Sequence, residues 1–384
     1  VRNTFFSAIV IFTLASLGCG LSQTFYQLIF CRVIQGLGGA LLLPVGRLAM
    51  LKIIPRAQFL SAMSMMSLAG LLGPLMGPTL GGYLVEYATW HWIFLINLPM
   101  GLLGMLVTFK AMPNTTEPTV KKFDLTGFVL LVIAMLGLVL GIESIASQDV
   151  SQRWSYILII TGFAGVAWYS YHAHSHQNAL FRSQLFKNKI YMIGILGNFF
   201  ARFSSNAIPF ILPLMLQVAF KVEPFMAGIM MTPIVFGSLF SKPIIRPIIQ
   251  RVGYRQFLLI NTVLVGACIA SFALTTVDTP TWLRALHFFV FGALNSLQFV
   301  SMNTLTLKDL PQQDASSGNS FLSMIMMLSM SIGVALAGTL LNIFTAHYGI
   351  AQINSAFHST LICLGAINIL TAYIFSRIPK DMPG

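Results

Sequence analysis

An all-α integral membrane protein is the fold class this sequence predicts, and three observations predict it. Hydrophobic residues fill 56% of the 384 positions and charged residues only 8%, more apolar side chain than the core of one soluble domain holds. Those residues come in runs of about 20, the length of helix that crosses a bilayer. The connecting segments alternate between strongly basic and nearly neutral, the pattern of a chain that weaves across a membrane.

Twelve runs meet the length criterion, near 3–22, 27–48, 59–84, 92–110, 125–145, 155–171, 190–219, 226–246, 257–276, 283–305, 318–344 and 357–376. The net charge of +12 follows topology, which removes nucleic acid as a partner. Most of the basic residues, from Arg47 and Lys52 through Lys121, Lys122, Arg182, Lys187, Lys242 and Arg246 to Arg377, fall in one alternating set of segments, while Arg153, Lys221 and Arg284 fall in the other. The basic set is expected on the cytoplasmic side, with both ends of this chain. Cys19, Cys31, Cys268 and Cys363 lie in or beside apolar runs without metal-ligand spacing and read as packing residues. No cleavable signal peptide is visible.

Taken in order, the first run begins at once after Val1. Val1-Arg2-Asn3-Thr4-Phe5-Phe6 resembles Tyr254-Arg255-Gln256-Phe257-Leu258-Leu259, and each string leads into a span. If these are equivalent positions in two repeats, the second copy has two preceding spans, 190–219 and 226–246, that the first lacks. Two further spans are therefore expected upstream of Val1.

The second run holds Arg32, Gln35, Gly36 and Gly39 on one helical face. An arginine within a span costs about 2.5 to 3.5 kcal/mol on insertion scales, so it is expected to face protein or water, or to snorkel to the interface. The third run reads Gly-Leu-Leu-Gly-Pro-Leu-Met-Gly-Pro-Thr-Leu-Gly-Gly over 70–82. At about 100° per residue Gly70, Gly73, Gly77 and Gly81 share a narrow arc beside Pro74 and Pro78, with Gly82 following. Such a face lets a neighbouring backbone approach closely, and each proline removes a helical donor and bends the chain. From spacing alone, a packing seam and a gating helix are equal readings.

The string 90–101 opens the fourth span with Trp90 and Trp92 at an interface. The polar segment 111–124 leads to the pair 125–145 and 155–171, and His172, His174 and His176 then precede the second repeat. One histidine tract without carboxylates or cysteines is a weak metal signal and reads as a connector. In the run 190–219, Asn198, Arg202, Ser205, Asn206, Pro209, Pro213 and Gln217 fall on one side. A polar stripe with an arginine at mid-depth is expected to line a wet cavity, or else to form a polar seam against a neighbour. Asn295, Gln298, Met302 and Thr306, with Gly292 nearby, make a second stripe on 283–305. No mid-span acid is visible, and Glu86 and Glu143 sit near span ends. No phosphate-binding loop of the Gly-x-x-x-x-Gly-Lys type appears, and dispersed acids argue against an enzyme.

Three strings together resemble the fourteen-span drug:proton antiporters of the major facilitator superfamily. Gly73, Gly77-Pro78 and Gly81-Gly82 match the core of that family's antiporter signature, Arg32-Val33-Ile34-Gln35-Gly36 its Arg-x-x-Gln-Gly motif, and Arg251-Val252-Gly253-Tyr254-Arg255 the basic turn of its cytoplasmic loop. The string 90–101 resembles those exporters too, with His91 where arginine is usual, while Ser64 stands where the signature's upstream glycine falls and Gln250 where an acid is often found. The resemblance implies a major facilitator fold, with twelve of fourteen spans present. It divides the chain into 1–110, the rest of an N-terminal bundle; 111–189, two linking spans; and 190–384, a C-terminal six-helix bundle.

It also implies proton-coupled efflux of small amphiphiles across a bacterial inner membrane, powered by the proton gradient without a bound cofactor or metal. The implied partners are lipid, protons and a small-molecule substrate, with the protein monomeric. Arg32 and Gln35 would serve coupling, residues 70–82 gating, and Asn198, Arg202, Ser205, Asn206, Gln217, Asn295, Gln298 and Met302 the substrate cavity. Arg251, Gly253 and Arg255 would form the cytoplasmic loop. The alternatives are an importer of a small nutrient or carboxylate with the same fold, or a chain that lacks its coupling helix and does not transport.

Overall fold

The computed structural model describes residues 1–55, 58, 61–62, 65–66, 73, 77, 80–81, 83–84, 88–113, 123–147, 152–176, 179–181, 183–311 and 314–379. They are almost wholly helical. Helical structure satisfies each backbone donor and acceptor within its own segment, which a bilayer requires. Two units emerge, Val1–Val120 and Lys121–Gly384.

In the first unit α1 (Arg2–Gly20) packs against α2 (Phe25–Ile53) and against α4 (Asn97–Ala111), which a short α3 (Trp92–Leu95) precedes. Thr24 starts α2 with a capping box: its hydroxyl accepts from the Gln27 amide while the Gln27 side chain accepts from the Thr24 amide. Gly38 brings α2 onto the backbone of α1, where an added Cβ would lie 2.7 Å from the Phe12 nitrogen. The span expected over 59–84 lies mostly outside the described residues. Of its glycines Gly73, Gly77 and Gly81 are helical, and among the described residues a Cβ added to them meets nothing within 4 Å. Gly70, Pro74, Pro78 and Gly82 lie outside the described residues.

The second unit begins with an antiparallel pair, α5 (Leu125–Ser147) and α6 (Gln152–Ser175). Gly137 and Gly162 bring their backbones together, and Ser144 donates to Ser155 at 2.8 Å. Then come α7 (Lys189–Leu214), continued by a π-helical turn Met215–Ala219, α8 (Pro224–Met230), α9 (Thr232–Phe240), α10 (Lys242–Ser271), α11 (Thr281–Lys308), α12 (Ala315–Tyr348) and α13 (Ile353–Ser376). Helix α7 packs on α11, α12 and α13; α10 packs on α11 and α13; α9 packs on α11; and α5 packs on α12. Ile208, Ile211 and Leu212 of α7 meet Val265, Ile269, Phe272, Phe288, Phe291, Phe357 and Leu361 in one buried core.

Among the described residues nine helices are long and apolar enough to cross a membrane, fewer than the twelve runs in the sequence. The run at 59–84 lies mostly outside the described residues, and 226–246 differs for a local reason. The run at 226–246 is cut into α8, α9 and the start of α10 because Pro224, Pro233 and Pro243 each open a new helix at its first turn. Helix α6 forms over the run at 155–171, with histidines at its end. Helix α10 is itself two segments meeting at Gly253, whose φ of 78° and ψ of 159° no side-chain-bearing residue adopts readily.

Candidate functional site

Two polar constellations sit within these apolar helices, one in each unit. In the first unit Arg32 and Gln35 stand one turn apart on α2. Arg32 donates from Nη1 to Gln35 Oε1 at 3.0 Å, and Gln35 Nε2 donates to the Ser16 hydroxyl on α1 at 2.6 Å. Asn97 at the start of α4 donates to the same hydroxyl at 3.4 Å. Gln35 is buried, whereas Arg32 is exposed, with its guanidinium 4.4 Å from the centre of the Phe94 ring. Ser16 and Asn97 are absent from the sequence-based candidates because neither falls in a periodic polar stripe.

In the second unit Arg202 is buried, 6% exposed, so its charge must be met by protein dipoles. Its Nε donates to Asn198 Oδ1 one turn earlier at 3.0 Å, and its Nη2 donates to Asn303 Oδ1 on α11 at 3.3 Å. The guanidinium also lies 4.2 Å from the centre of the Phe299 ring. Asn198 Nδ2 donates to the Gly194 carbonyl at 2.9 Å and to the Thr306 hydroxyl at 3.1 Å. Gly194 permits this approach, since an added Cβ would lie 2.3 Å from Thr306 Oγ1. Asn303 Nδ2 is buried without a hydrogen-bond partner among the described residues.

The stripe expected on α11 divides between two faces. Thr306 and Asn303 turn to α7. Gln298 turns to α10, where its Oε1 accepts from Asn261 Nδ2 at 2.7 Å and its Nε2 donates to Thr262 Oγ1 at 2.6 Å. Met302 joins that second face, with its sulfur 3.6 Å from Gln298 Nε2. Ser205 is buried, and Asn206, Gln217 and Asn295 are partly exposed. Asn303 and Asn261 escaped the sequence reading: Asn303 is off the 295, 298, 302 spacing, and Asn261 stands alone in an apolar run. The signal for Asn303 was its position four residues after Phe299, the ring beneath the arginine.

At the basic turn Arg251 is exposed and Arg255 partly buried on either side of Gly253. The Lys308 ammonium, at the end of α11, lies 5.1 Å from the centre of the Tyr254 ring and ties that turn to α11.

Of the histidines near the start of the second repeat, His172 Nε2 lies in hydrogen-bond contact with Asp124 Oδ1 at 2.9 Å, and its ring stacks on His176 at 4.2 Å. Burial would raise the Asp124 carboxyl, but the Gly127 amide, the His172 side chain and the Leu180 amide together hold it below its ordinary range. Among the described residues no three His, Cys, Asp or Glu side chains are grouped to hold a metal.

The comparisons with known proteins agree over almost the whole chain. The family model described as "Major Facilitator Superfamily" matches residues 1–334 and again 194–383. A protein of Salmonella newport (strain SL254) named "Putative multidrug resistance protein MdtD" is 48% identical over 386 residues, covering 99% of this chain and 82% of its own length. Its namesake in Serratia proteamaculans (strain 568) is 45% identical over 385 residues, covering 99% of this chain and 80% of its own length. Among solved structures, the human organic anion transporter MFSD10 (TETRAN) matches with a TM-score of 0.63 at 12% identity, over 97% of this chain and 76% of that one. The proton:xylose symporter XylE matches with a TM-score of 0.64 at 13% identity, over 99% of this chain and 81% of that one. At such identities the two structures speak to fold alone.

Proposed function

The chain belongs to the major facilitator superfamily, a family of transport proteins and not of enzymes, and on that premise we propose that it is a proton-coupled exporter of small amphiphilic compounds. It is a multi-pass membrane transporter, homologous to proteins named for multidrug resistance. In our reading it sits in a bacterial inner membrane with its basic loops in the cytoplasm, and it works by rocking of helical bundles about a site near the midplane. The proton gradient supplies the energy, and no cofactor is needed.

Arg32 and Gln35 serve proton coupling, with Ser16 and Asn97 orienting Gln35. Residues 70–82 serve gating, and Arg251, Gly253 and Arg255 form the loop that stiffens the cytoplasmic face. Arg202, Asn198 and Asn303 form the polar end of the substrate site, with Ser205, Asn206, Gln217 and Asn295 along its approach and with Gln298 and Met302 behind. The single observation that carries this reading is the buried arginine: α7 holds Arg202 inside an apolar bundle on side-chain amides from two helices, an arrangement that in membrane proteins marks a substrate or ion pathway.

The test is transport by the reconstituted protein. In inside-out vesicles with an acid interior, a panel of cationic, neutral and anionic amphiphilic dyes is offered outside. At least one dye is expected to accumulate, and a protonophore to abolish the accumulation. Uptake that ignores the gradient, or that occurs only in right-side-out vesicles, would overturn the proposal in favour of an importer.

A further inference from the structure

The α5–α6 pair meets its surroundings mostly with apolar side chains. Phe128, Val132, Leu136, Trp154, Ile160 and Phe163 are all exposed, as lipid-facing positions are. A helix pair of that kind needs no buried charge to stay in a membrane, yet it carries one at a single end.

Asp124, just before α5, accepts from the Gly127 amide at 2.8 Å, from His172 Nε2 at 2.9 Å and from the Leu180 amide at 3.3 Å. Both side chains of the His172–Asp124 contact are covered, His172 to 8% and Asp124 to 9% exposure. The next residues extend the network. The Phe181 amide donates to the Tyr169 hydroxyl on α6 at 2.7 Å. The Ser317 hydroxyl, in the first turn of α12, donates to the Leu180 carbonyl. The Phe181 and Phe186 rings each meet the Phe321 ring of α12 edge-on at 5.0 Å. Leu180 is thus bonded on one side to the start of α5 and on the other to the start of α12. A covered carboxylate is costly unless its hydrogen-bond donors stay in place, so Asp124 ties together the elements that supply them.

We propose that Asp124, His172, Leu180 and Ser317 form a strap that fastens the α5–α6 pair to the first turns of α12, so that the pair and the helices packed on α12 move as one body. The transport reading gives this its consequence, because a pair so fastened travels with its bundle during alternating access. The fastening itself is independent of that reading and is measured without a substrate.

The experiment is amide hydrogen exchange on the full chain in lipid nanodiscs. Asp124→Asn is expected to speed exchange at least tenfold both at the start of α5 and at residues 315–322. Ser317→Ala, which leaves the Asp124–His172 contact intact and guards against a misfolded first variant, is expected to speed exchange at Leu180 and Phe181 and at the start of α5. Faster exchange confined in each variant to the substituted element would overturn the strap. An inactive but exchange-coupled protein would leave the strap standing and sink only the transport reading.

Discussion

Arg202 on α7 reaches across to α11, where its Nη2 donates to Asn303 Oδ1 at 3.3 Å, one turn from the bond that Asn198 makes to Thr306 between the same two helices. Hydrogen bonds to charged groups contribute about 1.5 to 3 kcal/mol. Asn303→Ala is therefore expected to cost about 2 kcal/mol in detergent-solubilised protein, read as a fall in the unfolding temperature. Arg202→Lys should not restore the wild-type value, because an ammonium lacks the planar fork that meets Asn198 and Asn303 together. An Asn303→Ala protein as stable as wild type would remove this bond from the account.

Gln35 accepts from Arg32 and donates to Ser16, so its loss frees the arginine while leaving the charge in place. Under the proposed coupling role, Gln35→Ala slows gradient-driven transport at least tenfold and spares substrate exchange at equal pH. Equal losses in both assays would show that the residue supports binding or folding and not coupling.

Where α9 meets α11 the backbones touch. A Cβ added to Gly237 would lie 1.9 Å from the Phe289 carbonyl oxygen, and one added to Gly292 would lie 1.8 Å from that of Ile234. Either alanine must push the helices apart, at a cost of about 3 kcal/mol. Gly338→Ala meets nothing within 4 Å among the described residues and is expected to be neutral, or stabilising by up to about 1 kcal/mol through helix propensity. Thermal unfolding of the three variants side by side tests the contrast, and similar values for all three would refute it.

Asp124 gives a pH dependence with a definite sign. Its carboxyl is held below its ordinary range, so its contribution is complete above that range and disappears as pH falls through the folded-state value. Asp124→Asn should lower stability by about 2 kcal/mol at neutral pH, and the gap to wild type should close below about pH 4. A gap that is constant from pH 3 to pH 7 would mean that the carboxylate charge contributes nothing.

The helical membrane fold was legible because composition and run length depend on the solvent, and a bilayer constrains both strongly. That Arg32 shares a face with Gln35, and Asn198 with Arg202, was legible because their members sit three or four residues apart on one helix, but that each arginine bonds to its own helix neighbour was not. What escaped was whatever depends on which neighbour a face meets. Asn303 and Gln298 lie five residues apart on α11 and turn to different helices, and no spacing rule chooses between α7 and α10. Asp124 and His172 are separated by 48 positions, and neither residue alone announces a partner. The break of 226–246 into short helices was written in Pro224, Pro233 and Pro243, but the hydrophobic run masked it.

Helix α7 carries Pro209 and Pro213 and then passes into a π-helical turn at Met215–Ala219. Each proline withholds the amide that the carbonyl four residues earlier would accept, so Ser205 and Pro209 lose their ordinary helical donors, and the wider turn interrupts the ladder again. The segment below, from Lys189 to Arg202, has no such interruption and is anchored to α11 by side-chain amides. The helix is therefore a continuous hydrogen-bonded shaft up to Arg202 and an interrupted ladder beyond it. Weakness in the ladder is thereby confined to the stretch beyond Ser205, where Ile208, Ile211, Leu212, Met215 and Leu216 are clamped by the buried core, so packing and not hydrogen bonding fixes the direction of the upper helix while the guanidinium at its base stays in register with Asn303.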